Sequence, residues 1–233
     1  GKSQPLSTTK RFVCLANSRK LNGRCVAGRE LVDDEPAGWL RPVSARQHEE
    51  VSEHERQYED GSDPVVLDVI DVPFLRSAPK MFQRENWLLD PEHYWVKVGE
   101  VSWAELAGLA DPVAPLWIDG HSTYNGSNDK IPLELTESLD SSLTLVHIDE
   151  VELRVFPPGE TFGDTKRKVQ ARFDHAGVSY ALWVTDPIHE RRFLAEPNGN
   201  YSLGECFITV SLGEPYKGDT YKLVATIIER VQR

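Results

Sequence analysis

The sequence predicts an all-β protein with a few short helices, folded as two partly open β-barrels packed together. Three observations lead there. Roughly ten short runs alternate apolar with polar residues or are rich in Val, Ile, Phe and Tyr. Gly, Asn and Pro punctuate them at short intervals, a rhythm that favours barrels over parallel sheets. The pattern breaks near residues 136–141 and leaves units at 10–140 and 141–233, each matching a five-stranded partly open barrel.

Residues 1–9 are polar and predicted to fray. KRFVCLAN (10–17) and GRCVAGREL (23–31) are β-runs, joined by a turn in which Asn22-Gly23 supplies positive φ. DDEPAG (33–38) turns the chain into GWLRPVS (38–44), where Pro42 marks an edge or a strand end. ARQHEEVSEHERQYEDGSDP (45–64) is polar and acidic, a solvated helix or loop stopped by Asp60-Gly61. VVLDVIDVPFL (65–75) and HYWVKVGEVS (93–102) read as strands. SWAELAGLA (102–110) reads as a short helix with Ser102 as N-cap and Glu105 completing a capping box. PLWIDGHSTYNGSNDKIPLEL (115–135) is loop. SLTLVHIDEVELRVF (142–156) is strand, and KVQARFDHAGVSYALWV (168–184) is a hairpin turning at His175-Ala176-Gly177. ECFITVSLGEP (205–215) and TYKLVATIIE (220–229) complete the β-runs, and no internal repeat shows in residue spacing.

The chain has 233 residues and a formal net charge of -11. Residues 1–46 hold nine Lys/Arg against four Asp/Glu, residues 47–150 six against 22, and residues 151–233 11 against 11. Such segregation lets an acidic protein present a positive face, because screening at physiological salt confines each patch to about 8 Å. No apolar run approaches the roughly 20 residues that cross a bilayer, and no signal peptide is visible. The isolated cysteines Cys14, Cys25 and Cys206 suit reduced thiols in a cytoplasmic setting, with Cys14 and Cys25 serving as small buried hydrophobes.

Several blocks carry a resemblance. VCLANSRKLNGRCVAG, GWLRPVSAR, YEDGSDPVVLDVI, YWVKVGEVSW, YNGSNDKIP, VTDPIHERRF and SLGEPYKGDTYKLVA, in this order, resemble the bacterial dual OB-containing domain family over residues 10–229. The resemblance implies two OB-like barrels. Through the fold it also implies nucleic-acid binding, in a setting of conflict with phage and other mobile elements. It brings no activity that transfers residue by residue.

Five places carry candidate chemistry. Arg19, Lys20, Arg24, Arg41 and Arg46 cluster about the first turn and third strand, where OB barrels bind oligonucleotides. Cations there neutralise phosphates, and Trp39 either stacks on a base or packs in the core. Lys166, Arg167 and Lys168 extend a phosphate track in the second barrel or guard a strand edge. Tyr124 and Asn125 sit in a Gly-rich loop that reads bases or simply turns. Asp186, His189, Glu190 and Arg191 form either a ligand pocket or a helix start capped by Asp186. Tyr216 and Lys217 tip a hairpin connection between Gly213 and Gly218.

No Walker loop, GxSxG, HExxH or CxxC pair is present. The expectation is a non-catalytic binder of single-stranded or structured RNA or DNA, with no metal and no cofactor. The alternative is a small enzyme or sensor holding a nucleotide or modified base in a pocket between the barrels, through Arg41, Asn125, Asp186 and Arg191. A protein partner for the acidic stretch 47–64 is a further reading.

Overall fold

The computed structural model describes residues 7–20, 23–46 and 49–230, and of Arg19 and Lys20 the backbone alone. Strands hold 52% of the residues and helices 11%, which bears out the all-β expectation of two OB-like domains. Among the described residues no helix is long and apolar enough to cross a membrane. By compactness the chain divides into Gly1–Leu109 with Asp140–Ser142, and Ala110–Leu139 with Leu143–Arg233. Residues 110–139 thus associate with the second unit, whereas the sequence groups them with the first.

The first unit contains β1 (Thr8–Lys20), β2 (Gly23–Val32), β3 (Glu35–Val43), β4 (Asp68–Ser77), β5 (Asn86–Leu89) and β6 (Val96–Glu100). The pairing order is β1-β2-β3-β5-β4, and a further β1–β4 pairing returns to the start. The β3–β5 contact is parallel, as closure of such a ring requires here. β6 lies outside the ring, on β4. Apolar residues drive the closure: Phe12, Cys14, Val26, Leu40, Ile70, Val72, Phe74 and Leu89 share one buried core. Asp33 and Asp34 take φ of 51° and 63° and form the two-residue turn between β2 and β3. β2 crosses β1 so closely that a Cβ at Gly28 would fall on the Val13 carbonyl oxygen. The acidic stretch after β3 is loop over its described residues, tied down by bridges Arg24–Val51 and Tyr58–Trp95.

The second unit contains β7 (Lys130–Pro132), β8 (Leu143–Phe156), β9 (Lys168–His175), β10 (Val178–Trp183), α1 (Pro187–Leu194), β11 (Gly199–Leu212) and β12 (Asp219–Glu229). The sheet runs β10-β9-β8-β11-β12-β7, and a parallel bridge, Val184–Val224, leads from the end of β10 back to β12. Its five long strands therefore repeat the first unit's order, with α1 between the third and fourth. The core gathers Val151, Leu153, Val155, Val169, Leu182, Ile208, Val210 and Val224. Burying each such side chain contributes about 2 kcal/mol relative to exposure. Ala176 and Gly177, at φ 51° and 77°, make the predicted β9–β10 turn.

Segment 114–132 lies along this barrel between β10 and β12. Ser127 pairs with Ala181 of β10, and β7 pairs with β12. Beneath it, Lys222 is fully buried and its Nζ donates to Asp119 Oδ1 at 2.9 Å. The Tyr180 hydroxyl also donates to Asp119, at 2.9 Å, and accepts from the Leu116 N–H at 2.8 Å. Burial pulls the Lys222 pKa down, and the Asp119 carboxylate opposes it. Burial likewise pushes the Cys14 and Cys206 thiols up to about 12, so both are poor nucleophiles.

Candidate functional site

A cation recognises phosphate only if its charge is not already neutralised within the fold. The predicted cations of the first unit divide on that test. Arg41 is 4% exposed, and a guanidinium taken out of water requires a partner. It finds Glu85 at 3.6 Å, the Ser142 hydroxyl at 2.9 Å and Cys25 Sγ at 3.5 Å. Arg46 Nε reaches Glu55 at 3.1 Å, and its Nη1 lies 3.9 Å from Glu50. Trp39 is half-buried beneath Arg29, whose guanidinium sits 5.0 Å from the ring. Arg24 is half-buried on β2, its backbone paired with Val51. The side chains of Arg19 and Lys20 lie outside the described residues, as do Leu21 and Asn22 of the turn between them and Gly23. Of the cations of this predicted group whose side chains are described, Arg24 makes no ion pair among the described residues.

The second unit's outer face is different. Along β8, β9 and β10, side chains alternate between the core and the outside. Val155, Val169 and Leu182 go inward. Arg154, Gln170 and Trp183 share a cross-strand row, Glu152, Arg172 and Ala181 the next, and Phe156 opposes Lys168. The Phe156 and Trp183 rings stack at 5.8 Å and 27°. Arg154 lies 3.9 Å over Phe156, and Lys168 Nζ lies 5.0 Å over Trp183. Arg172 Nε donates to Gln170 Oε1 at 3.0 Å. None of Arg154, Lys168 or Arg172 makes an ion pair among the described residues, and neither does the exposed Lys166 before β9.

Two loops border this face. Gln170 Nε2 donates to the Asn125 carbonyl at 2.7 Å, and Asn125 Nδ2 donates to the Pro158 carbonyl at 3.3 Å. These bonds fix the 121–126 loop against both β9 and the β8–β9 connection. Each loop then holds an aromatic in solvent: Tyr124 is 88% exposed and Phe162 83%. Such exposure of an aromatic on an anchored loop gives a base a ring to stack on.

Arg167 turns away from the face. Its Nε donates to Asn198 at 2.7 Å, and Nη1 and Nη2 donate to the carbonyls of Leu194 and Glu196, fastening the segment that follows α1. Tyr216 and Lys217 occupy the β11–β12 turn, with Lys217 Nζ 5.2 Å from the Tyr216 ring. That turn follows Ser211, which pairs with Leu143 at the start of β8; Phe156 ends β8, roughly 40 Å further along the strand path. These two are not joined to the β8–β10 face.

Asp186 is the α1 N-cap: Oδ1 accepts from the Ile188 N–H at 3.0 Å and the His189 N–H at 3.4 Å. Its Oδ2 takes the Ile227 N–H and faces His189 Nδ1, both at 2.9 Å. His189 Nε2 faces Glu229 Oε2 at 2.9 Å, and Arg192 also reaches Glu229, at 2.8 Å. Burial alone pulls the His189 pKa down, but Asp186 and Glu229 outweigh it and the net direction is up. These contacts latch α1 onto β12. Glu190 is half-buried and Arg191 exposed beside them. Among the described residues no three or more His, Cys, Asp or Glu side chains are placed so that they could hold one metal ion, since His189 here spends one ring nitrogen on each carboxylate.

Arg154, Phe156, Phe162, Arg172 and Trp183 are absent from the sequence-derived candidates. A signal existed: Arg154-x-Phe156 and Lys168-x-Gln170-x-Arg172 repeat every second residue, so each trio or pair shares one strand face.

Two five-stranded barrels with the same strand order define a double OB-fold protein. A family model described as the dual OB-containing domain matches residues 10–227, and the chain belongs to that family. No curated protein and no solved structure matches it.

Proposed function

We propose that this protein is a non-catalytic module that binds single-stranded or structured RNA or DNA across the β8–β9–β10 face of its second barrel. The observation that carries the reading is the grouping of Arg154, Lys168 and Arg172, none of them in an ion pair among the described residues, around the stacked Phe156 and Trp183, with Glu152 the one carboxylate in their cross-strand rows. OB barrels bind oligonucleotides on the face of their second and third strands and the adjoining loops, and β9 and β10 hold those positions here. Arg154, Lys166, Lys168 and Arg172 neutralise backbone phosphates; Trp183, Tyr124 and Phe162 stack on bases; Asn125 sets the loop that carries Tyr124. Arg24 in the first barrel, with Arg19 and Lys20, extends the proposal to that barrel's turn. The setting in bacterial conflict with mobile elements, which the family likeness implies, belongs to the same proposal.

Fluorescence anisotropy with labelled oligonucleotides tests it. Four neutralised phosphates on a single strand give a slope of log affinity against log salt near -3, at about -0.7 each. Lys168→Glu with Arg172→Glu makes that slope shallower by about 1.4 and lowers affinity at least about tenfold. Salt-independent binding by the parent, or an unaffected double variant, refutes the assignment.

A further inference from the structure

The first unit carries a second surface of opposite character. A cavity of about 470 Å³ lies where the acidic loop meets the start of β4 and the start of β6. Glu59, Asp60, Asp63 and Asp68 line it, against one cation, Lys97. Two of these acids are committed inside the fold. Asp63 pairs with the buried Arg56 at 2.7 Å, and Asp68 accepts from the Tyr58 hydroxyl at 2.9 Å and meets Lys97 at 3.3 Å. Glu59 and Asp60 are exposed and make no ion pair among the described residues. The hydroxyl and N–H of Ser62 hold Asp60 below the usual carboxylate range, so it stays charged.

Trp95, in the cavity wall, is 1% exposed, yet its indole N–H has no acceptor among the described residues. A buried donor left unpaired is costly and calls for an acceptor. β6 continues from this tryptophan as an edge strand. It pairs with β4 on one side, and the Trp95 backbone N–H donates to the Gln57 carbonyl on the other. Beyond that point no backbone partner occurs on the outer edge of β6 among the described residues. β6 is short and bulged at Val98, but it has no proline, and its lysine, Lys97, is tied to Asp68 and Glu100 and does not guard the edge. Instead Tyr94, Val96 and Val98 are exposed beside it.

We propose that this edge docks an extended, lysine- or arginine-bearing peptide segment of a partner protein, added as a strand beside β6. The peptide's carbonyls satisfy the outward β6 amides. Alternate apolar side chains lie on Val96 and Val98, and its cations meet Glu59 and Asp60. A metal ion or polyamine offers no carbonyl acceptor and no apolar face, so the geometry favours a peptide over a small cation.

Anisotropy of the full chain with a labelled peptide of about six residues, alternating lysine and valine, tests the proposal. The parent binds it and ignores the glutamate–valine counterpart. Glu59→Lys with Asp60→Lys, both on the surface, weakens binding at least about tenfold by setting like charges together. Methylating alternate peptide nitrogens preserves charge and removes the strand's donors, and it weakens binding as much. Circular dichroism confirms that the variant is folded. No binding by the parent, full binding by the charge-reversed variant, full binding of the methylated peptide, or equal competition by spermine each overturns it.

Discussion

Asp186 joins three interactions whose loss can be separated. Asp186→Ala removes the α1 cap, leaves the Ile227 N–H without an acceptor, and strips His189 of one of its two carboxylates. A lost cap costs about 1 kcal/mol. A buried unsatisfied amide costs about 1–3 kcal/mol, and a hydrogen bond to a charged group contributes about 1.5–3 kcal/mol. These overlap at one side chain, so the expected cost is about 3–5 kcal/mol. Asp186→Ser keeps a hydroxyl acceptor for the cap and loses the rest, so it costs about 1 kcal/mol less than Asp186→Ala. Urea unfolding followed by circular dichroism measures both midpoints. If both variants stay within about 1 kcal/mol of the parent, the contacts between α1 and β12 do not hold the barrel together, and the latch reading fails. If alanine and serine cost the same, the cap is idle.

His189 gives the latch a pH dependence. Its pKa is raised in the folded state, so its contribution is complete below the ordinary value near 6.5 and is lost as pH rises through the folded value. The midpoint should therefore fall on going from mildly acidic to mildly alkaline buffer, and His189→Gln should flatten that change. Asp119→Ala leaves Lys222 buried without its counter-charge and should cost about 3–5 kcal/mol in the same urea assay. Tyr124→Ala should leave the urea midpoint unmoved, because the ring is exposed, while weakening oligonucleotide binding by about 1–3 kcal/mol in an anisotropy titration.

Much of the fold is legible in the residues because each strand buries one face. Val151–Val155 shows it directly, Phe12–Ala16 is a wholly apolar run buried on both faces, and Ala176-Gly177 marks a turn that only positive φ allows. β5 escapes because Asn86–Leu89 is short and is held by a parallel pairing with β3, a tertiary fact with no local trace. The Trp103–Gly108 segment forms a 3-10 turn where a helix is predicted, yet Glu105 does accept from the Ser102 N–H as a capping box demands. The repeated strand order of the two units is invisible for a related reason: pairing order is set across the barrel, and residue spacing does not encode it. Charge runs expose Lys166 and Lys168. Arg41 reads as a surface cation because its partner Glu85 lies on a distant stretch that meets it only when β3 and β5 pair. Trp183 and Phe156 are not singled out because each merely ends an apolar run, and their cross-strand neighbours place them beside Lys168 and Gln170.

An acidic chain can bind a polyanion only if its acids are spent elsewhere, and the second unit shows how. Its residues 151–233 hold 11 cations and 11 acids, and its residues 110–139 and 143–150 add one cation and seven acids. Asp186 and Glu229 are absorbed by the latch at His189 and Arg192. Glu205 is taken by His147 and Arg230, Asp219 by Lys130, and Asp174 by the Ser179 hydroxyl. Arg154, Lys168 and Arg172 gain no such partner and lean on aromatic rings or a glutamine instead. A net negative sum therefore coexists with a positive strip, because pairing is local and salt limits each charge's reach to about 8 Å. The same logic predicts a modest non-specific affinity: acids elsewhere on the chain repel long duplexes, while a short strand laid along β9 and β10 meets the cations first.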